Sequence, residues 1–298
     1  MSRIQDILNK AERDGTVRRT RSVGGESVAA TSAATLAPQQ ESQRPDLNPV
    51  AGSADDARSW TGATPSVEEA PARDVTLDYR LVAALAPQSL AAEQYRSLRT
   101  RISHAENGRA IRTIIITSPG KGDGKSLTAA NLALTMAQEY QQRVLLLDAD
   151  LRRPSLHRML GVPETPGLSD VLMGAVTLDD ALISLPDYHL TMLPSGVPAG
   201  HPAELLGSAA MRRTLDTLRT RFDRVILDTP PLSPLADVHI MAAMADGLLM
   251  IVRAGMTQKP AIERALAGLD SSKVLGLVLN EAGTDGTTEA YGEYTYVG

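Results

Sequence analysis

The 298-residue chain has no cysteine, which excludes disulfides and cysteine-ligated metal or iron–sulfur sites and fits a reducing compartment. No apolar run approaches the ~20 residues of a membrane-spanning helix, and the N-terminus lacks a signal-peptide apolar core. The expectation is a protein made and kept in the cytoplasm. Neither charge dominates: 30 Lys and Arg against 35 Asp and Glu give a net charge of −5, with no sign of nucleic-acid binding. The histidines are scattered, and His157, His189, His201 and His239 show no metal-ligand spacing. No Ser-His-Asp arrangement stands out. What the chain does have is 43% hydrophobic residues, enough for a sizeable core in one large or two small domains.

Those apolar residues are unevenly spread. In residues 1–14, Ile4, Ile7, Leu8 and Ala11 follow helical spacing behind a possible Ser2 N-cap, and Arg13, Arg18, Arg19 and Arg21 follow. Residues 1–21 are therefore expected to form a short amphipathic helix and basic segment, open to membrane-surface or partner docking or to fraying on a soluble tail. Residues 22–76 are rich in Ser, Ala, Thr, Gln, Glu and Pro. Such a segment buries too little surface to offset its conformational entropy, so a disordered linker is expected, with Trp60 incidental. Order resumes near Leu77.

The chain is organised around RTIIITSPGKGDGKSLTAANLALTMAQEYQQRVLLLDADLRRP, residues 112–154. A β-branched run, Ile114 to Ile116, meets a glycine-rich turn and then a helical pattern opening at Gly124-Lys125-Ser126. Strand, loop and helix N-terminus converge backbone N–H groups and the positive end of a helix dipole on one place, which makes an anion site. Lys125 adds a mobile charge for β/γ-phosphates, and Ser126 a hydroxyl for Mg²⁺. The segment Gly120, Lys121, Gly122, Asp123, Gly124, Lys125, Ser126, Leu127 is the candidate nucleotide-binding loop. Pro119 stands where the strict P-loop pattern has its first glycine, while Gly120, Gly122 and Gly124 supply permissive positions.

Two acidic motifs follow. Residues 225–231, VILDTPP, put Asp228 at the end of an apolar strand, the Walker B pattern, where an aspartate holds Mg²⁺ near the nucleotide. Asp148-Ala149-Asp150 ends another apolar run. One of its carboxylates is suited to organise Mg²⁺ and the other to take a proton from an attacking hydroxyl; the bland alternative is acids capping the turns that follow.

Downstream, strand signals at 189–193, 224–227, 247–252 and 274–279 alternate with helix signals at 209–221, 235–244 and 260–269. That alternation predicts an α/β fold: a mostly parallel sheet with helices on both faces. Ligands of such sheets bind beyond the strands' C-terminal ends, where the glycine loop, Asp148, Asp150, Asp228 and Asn280 all fall. Asn280 is counted among the candidate nucleotide-binding residues. Before the loop, residues 89–102 read as a helix capped by Ser89 and stopped near Asn107-Gly108, with Tyr95, Leu98 and Ile102 as its apolar face. Glu93, Arg96 and Arg99 form a charged stripe on it, which by spacing alone is a solvated face with a weak ion pair. The last eight residues hold Tyr291, Tyr294 and Tyr296 behind a flexible, polar lead. They are candidate phosphate acceptors, on a tether from Asn280 to Tyr291 that spans at most ~36–40 Å.

With these motifs in hand, the sequence resembles the bacterial tyrosine kinases of the capsule and exopolysaccharide type, in the exosortase-associated autokinase branch. The resemblance covers about residues 77–298, and the opening MSRIQDILNKAERDG is similar to that branch's start. Gly120–Ser126 corresponds to Walker A, residues 148–152 to Walker A′ and Asp228 to Walker B. Glu93-x-x-Arg96-x-x-Arg99 matches the family's oligomerisation signature, which overrides the solvated-face reading. Residues 167–174 (GLSDVLMG) and 202–206 (PAELL) are further family-like phrases.

The resemblance implies a P-loop NTPase fold over 77–284 and a tyrosine-rich tail over 285–298. It implies an ATP-dependent, Mg²⁺-requiring protein-tyrosine autokinase with Lys125 and Ser126 on phosphates and metal, Asp150 and Asp228 organising the metal and Asp148 as base. It also implies a ring-forming homo-oligomer in which one tail enters the next subunit's site, a separate transmembrane chain-length regulator as activator, and a tyrosine phosphatase as partner. Through the regulator the protein would lie peripherally at the inner face of the cell membrane. Pro119 and a tail with fewer tyrosines than many relatives are departures.

Two rivals share the core. A partitioning-type ATPase acts as a nucleotide switch, but its signature lysine five residues before Lys125 is Gly120 here. A non-catalytic nucleotide-binding scaffold is opposed by the acids and Lys125.

Overall fold

The computed structural model describes residues 76–282 except 107, 140, 141 and 233–236. The N-terminal helix, nearly all of the linker with Trp60, and Tyr291, Tyr294 and Tyr296 lie outside the described residues.

Among the described residues seven strands form one sheet: β1 (Thr113–Thr117), β2 (Val144–Asp148), β3 (Ile183–Leu185), β4 (Leu190–Leu193), β5 (Arg224–Asp228), β6 (Gly247–Arg253) and β7 (Val274–Asn280). Their spatial order is β3-β4-β2-β5-β1-β6-β7. Every pairing is parallel except β3 with β4, an antiparallel edge hairpin. Helices α1 (Val82–Leu85), α2 (Leu90–His104) and α3 (Lys125–Ala137) precede or follow β1. Four short ones, α4 (Leu156–Met159), α5 (Leu168–Leu172), α6 (Leu178–Ala181) and α7 (Pro202–Leu206), fill the excursion around β3 and β4. Helices α8 (Ala209–Arg221), α9 (Asp237–Met244) and α10 (Lys259–Ala267) complete the set.

Alternate residues of each inner strand point to opposite faces, and both faces are buried. Ile114, Ile116, Leu146, Ile226, Leu249 and Ile251 pack with α1, α2 and α3. Ile115, Leu145, Leu147, Val225, Leu227 and Met250 pack with α5, α8, α9 and α10. Apolar side chains on both faces explain why the strands read as continuous apolar runs.

The mostly parallel, two-sided sheet agrees with expectation. Helix α8 has the expected bounds, capped by Ser208, and Ser89 caps α2 by accepting the Ala92 N–H. Several boundaries differ. Helix α2 stops at His104, before Gly108, whose φ of 81° turns the chain later. His189 is no strand residue: it sits at φ 52° and donates its N–H to Pro186, closing the turn of the β3–β4 hairpin. The β3 edge strand and the four short helices carry too few residues for a periodic signal.

One polar residue ties this architecture together. Asn131, 1% exposed in the middle of α3, accepts the N–H of Ala83 (3.0 Å) and donates to the carbonyls of Arg80 and Leu127 (both 3.1 Å). It clasps α1 onto the helix that begins at the glycine loop. Gln138 repeats the contact by donating to Ala83 O at 2.8 Å. Asn131→Ala strands the buried Ala83 N–H and is expected to cost about 2 kcal/mol in urea unfolding; a change under about 0.5 kcal/mol, the range of an ordinary surface substitution, would contradict the clasp.

Candidate active site

The sheet brings the sequence's acidic motifs and its glycine loop to one edge. In parallel register Ile116 pairs with Asp228, and Asp148 pairs with Asp228. The loop after β1 therefore opens beside two carboxylates on successive strand ends. Chain connections leave β1 and β5 toward opposite faces of the sheet, through α3 and α9, which produces the crevice where such folds bind ligands.

The loop's shape comes from glycine where glycine is needed. Gly122 and Gly124 have φ of 83° and 90°, values costly for residues with a Cβ. At Gly124 an added Cβ would also lie 2.0 Å from Asn280 Nδ2. No left-handed conformation is needed at Pro119 or Gly120, so the departure from the strict P-loop pattern leaves the turn intact. Helix α3 starts directly at Lys125 with Gly124 as its N-cap, so its first N–H groups, which no helix can satisfy internally, face the loop.

Lys125 is the centre of the charge arrangement. Its Nζ lies 3.0 Å from Asp150 Oδ2, 3.4 Å from Asp228 Oδ1 and 3.1 Å from Ser126 Oγ. Burial works against its charge, but Asp228 and Asp150 outweigh burial and hold its pKa above the usual lysine value. Asp228 is 0% exposed; burial raises its pKa, and Lys125 opposes the rise. Its second oxygen, Oδ2, is buried and has no hydrogen-bond partner.

Asp148 has another part. Its Oδ1 accepts the N–H of Asp150 (3.2 Å), and its Oδ2 accepts those of Ser155 and Leu156 (both 3.1 Å). Asp148 thus caps the turn that follows, the alternative reading of these acids. Its carboxyl is pushed up to about 7, first by burial and then by Asp228, with the Leu156 and Ser155 amides pulling the other way. Asp150 similarly accepts the Arg153 N–H at 3.1 Å.

Other candidates divide between loop and scaffold. Asp123 turns its carboxylate inward, accepting Gly120 N–H at 3.0 Å. Leu127 packs its side chain on the core beneath, and Lys121 is exposed. Asn280 reaches back from the end of β7 and donates to Asp123 O at 3.0 Å. On α2, Glu93 pairs with Arg96 at 2.7 Å, as spacing alone suggested. Arg99 instead donates to Thr135 O at 2.9 Å, near the end of α3.

Sequence reading missed Asp237. It is fully buried at the start of α9 and takes a two-bond contact from Arg152 (2.7 and 3.2 Å). A lone aspartate opening a helix carries no sequence mark that distinguishes it from an ordinary first-turn acid.

The oxygen set of Ser126, Asp150 and Asp228, with one orphaned carboxylate oxygen, suits a hard cation such as Mg²⁺. Among the described residues no group of three His, Cys, Asp or Glu side chains is arranged to hold a metal. Such an ion needs a ligand's oxygens to complete its shell.

Removing the ammonium isolates buried negative charge. Lys125→Met is expected to lose roughly 3 kcal/mol of stability at pH 8. Asp148 and Asp228, already above their unfolded pKa values, would titrate higher still. The folded variant would then hold protons that the unfolded chain has released, so its stability would fall as pH rises and its deficit would shrink toward pH 4. Urea unfolding at both pH values checks this; a deficit independent of pH would contradict it.

Known proteins share this arrangement of the chain. The family described as an AAA domain matches residues 111–269, just over half the sequence. The tyrosine-protein kinase YwqD of Bacillus subtilis is 37% identical over 228 residues, covering 76% of this chain and 94% of that protein. The chimerical protein CapA2B2 superposes with a TM-score of 0.64 at 32% identity, covering 67% of this chain and 88% of that one. The kinase domain of Escherichia coli tyrosine kinase ETK superposes with the same TM-score, 0.64, at 27% identity, covering 72% and 84%. With sequence likeness running through nearly the whole of a relative and the fold matching solved kinase domains, the chain belongs to the bacterial tyrosine-protein kinases.

Proposed function

We propose that the protein is an ATP-dependent tyrosine autokinase of capsule or exopolysaccharide synthesis and export. The observation that carries the mechanism is the grouping of Lys125 with Asp150, Asp228 and Ser126 at the mouth of the glycine loop. ATP would lie with its phosphates on the loop and the first turn of α3, and with Lys125 on the β/γ-phosphates. Mg²⁺, held by Ser126, Asp150 and Asp228, would neutralise charge on those phosphates. A tyrosine hydroxyl then attacks the γ-phosphorus, the bond to the β–γ bridging oxygen breaks, ADP leaves, and the hydroxyl proton passes to Asp148.

Support for Asp148 as the base is its carboxyl near 7, matched to a task at neutral pH, and its fixed orientation on three backbone amides. It is 0% exposed, so this reading requires phosphates to draw Lys125 away from Asp150 and Asp228 before the acceptor reaches it.

The acceptors are Tyr291, Tyr294 and Tyr296 of a neighbouring copy. The exposed part of the Glu93, Arg96 and Arg99 stripe would contribute to the contact between copies, with Arg99 holding α2 to α3. A transmembrane chain-length regulator as activator and a tyrosine phosphatase complete the cycle, at the inner face of the cell membrane. Among the described residues no helix is long and apolar enough to cross a membrane; the regulator is the proposed anchor.

Incubation with Mg-ATP and phosphopeptide mapping tests the reading. Label is expected on Tyr291, Tyr294 or Tyr296 and absent from Lys125→Met. Asp148→Asn should lower the rate at least about a hundredfold, and the wild-type rate should climb with pH through a midpoint near 7. ATP hydrolysis without phosphotyrosine, with the membrane activator present, would instead indicate a nucleotide switch.

A further inference from the structure

Thr257 lies in the turn between β6 and α10, in the stretch AGMTQKP, residues 254–260, which has no recognisable motif. Its hydroxyl accepts the N–H of Arg253 at 2.9 Å and lies 2.7 Å from Asp123 Oδ1. A hydroxyl has one proton, and the Arg253 contact uses a lone pair, so the proton is directed at Asp123. The other Asp123 oxygen accepts the Gly120 N–H at 3.0 Å, across the glycine loop. Asp123 is 6% exposed. Its backbone carbonyl is held by Asn280 at 3.0 Å. The loop itself contains two left-handed glycines, which are conformationally free and lose the most entropy on ordering. Contacts from the ends of β6 and β7 thus converge on Asp123.

We propose that Thr257 is a positioning residue for nucleotide binding: through Asp123 it holds the glycine loop in its phosphate-accepting form before nucleotide arrives. The inference rests on the reading of residues 120–127 as the phosphate loop. Without the latch, the ordering entropy falls on the binding step. Once phosphates are seated, their own hydrogen bonds to the loop amides replace it. Loss of the latch therefore weakens nucleotide binding and raises KM while leaving kcat near the wild-type value.

A merely structural Thr257 would act through its Arg253 contact, capping its own turn, and the two roles separate experimentally. Thr257→Val removes both contacts, Thr257→Ser keeps both, and Asp123→Ala removes the latch but leaves the turn cap. Affinity for a fluorescent ATP analogue is measured for each, for the double variant and for Lys125→Met, with thermal unfolding recorded alongside. The expected result is about tenfold weaker binding in Thr257→Val, the size of one hydrogen bond to a charged group, with kcat kept and affinity restored in Thr257→Ser. Asp123→Ala should weaken binding comparably, and the double variant should be no worse than the single ones, because both break one link. Wild-type affinity in Thr257→Val, or additive losses in the double variant, overturns the latch. If Lys125→Met binds the analogue as well as wild type, the phosphate-loop reading itself fails.

Discussion

The structure depends on one ammonium group placed among buried carboxylates. Asp148, Asp150 and Asp228 are almost entirely removed from water, and Lys125 lies within 3.4 Å of two of them. Unpaired, such charges cost several kcal/mol each; Lys125 offsets part of that cost. Three anions and one cation are a poor balance by charge count. Backbone donors correct part of it: three amides on Asp148 and one on Asp150. Asp228 keeps one buried oxygen without a hydrogen-bond partner.

The fold supplies the rigidity that lets this set persist. Asp148 and Asp228 stand on adjacent parallel strands whose pairing fixes their spacing, with Asp150 two residues beyond, and the strands are packed on both faces. Helix α3 carries Lys125 at its first turn and is clasped to α1 through Asn131. On the far side, the ends of β6 and β7 hold the glycine loop through Thr257 and Asn280. Arg253 and Glu281 pair across these strand ends, beside the brace on the loop.

The core of this was legible in the sequence because local chemistry and long-range placement coincide there. A β-branched run before glycines and Lys125-Ser126 has few other uses, and apolar runs ending in Asp148 and Asp228 are enough to place both acids at one sheet edge. The illegible part depends on partners distant in sequence. Thr257 meets Asp123 across 134 residues and Asn131 meets Ala83 across 48, and neither pair leaves a periodic or compositional trace. Asp148 shows a further limit. Its identity and location were readable, but its cap on residues 155 and 156 depends on how the chain turns after Arg153. The β3 edge strand escaped for the opposite reason: its pairing with β4 is local, but three residues are too few to show alternation.

If Lys125 is the resident cation of the carboxylate set, a divalent ion cannot take that place until nucleotide phosphates draw the ammonium away. Electron paramagnetic resonance of Mn²⁺ titrated into the full chain measures this directly, with and without a non-hydrolysable ATP analogue. The account predicts a free Mn²⁺ signal unchanged by the protein alone and suppressed once the analogue is added. Mn²⁺ bound equally tightly without nucleotide would contradict it.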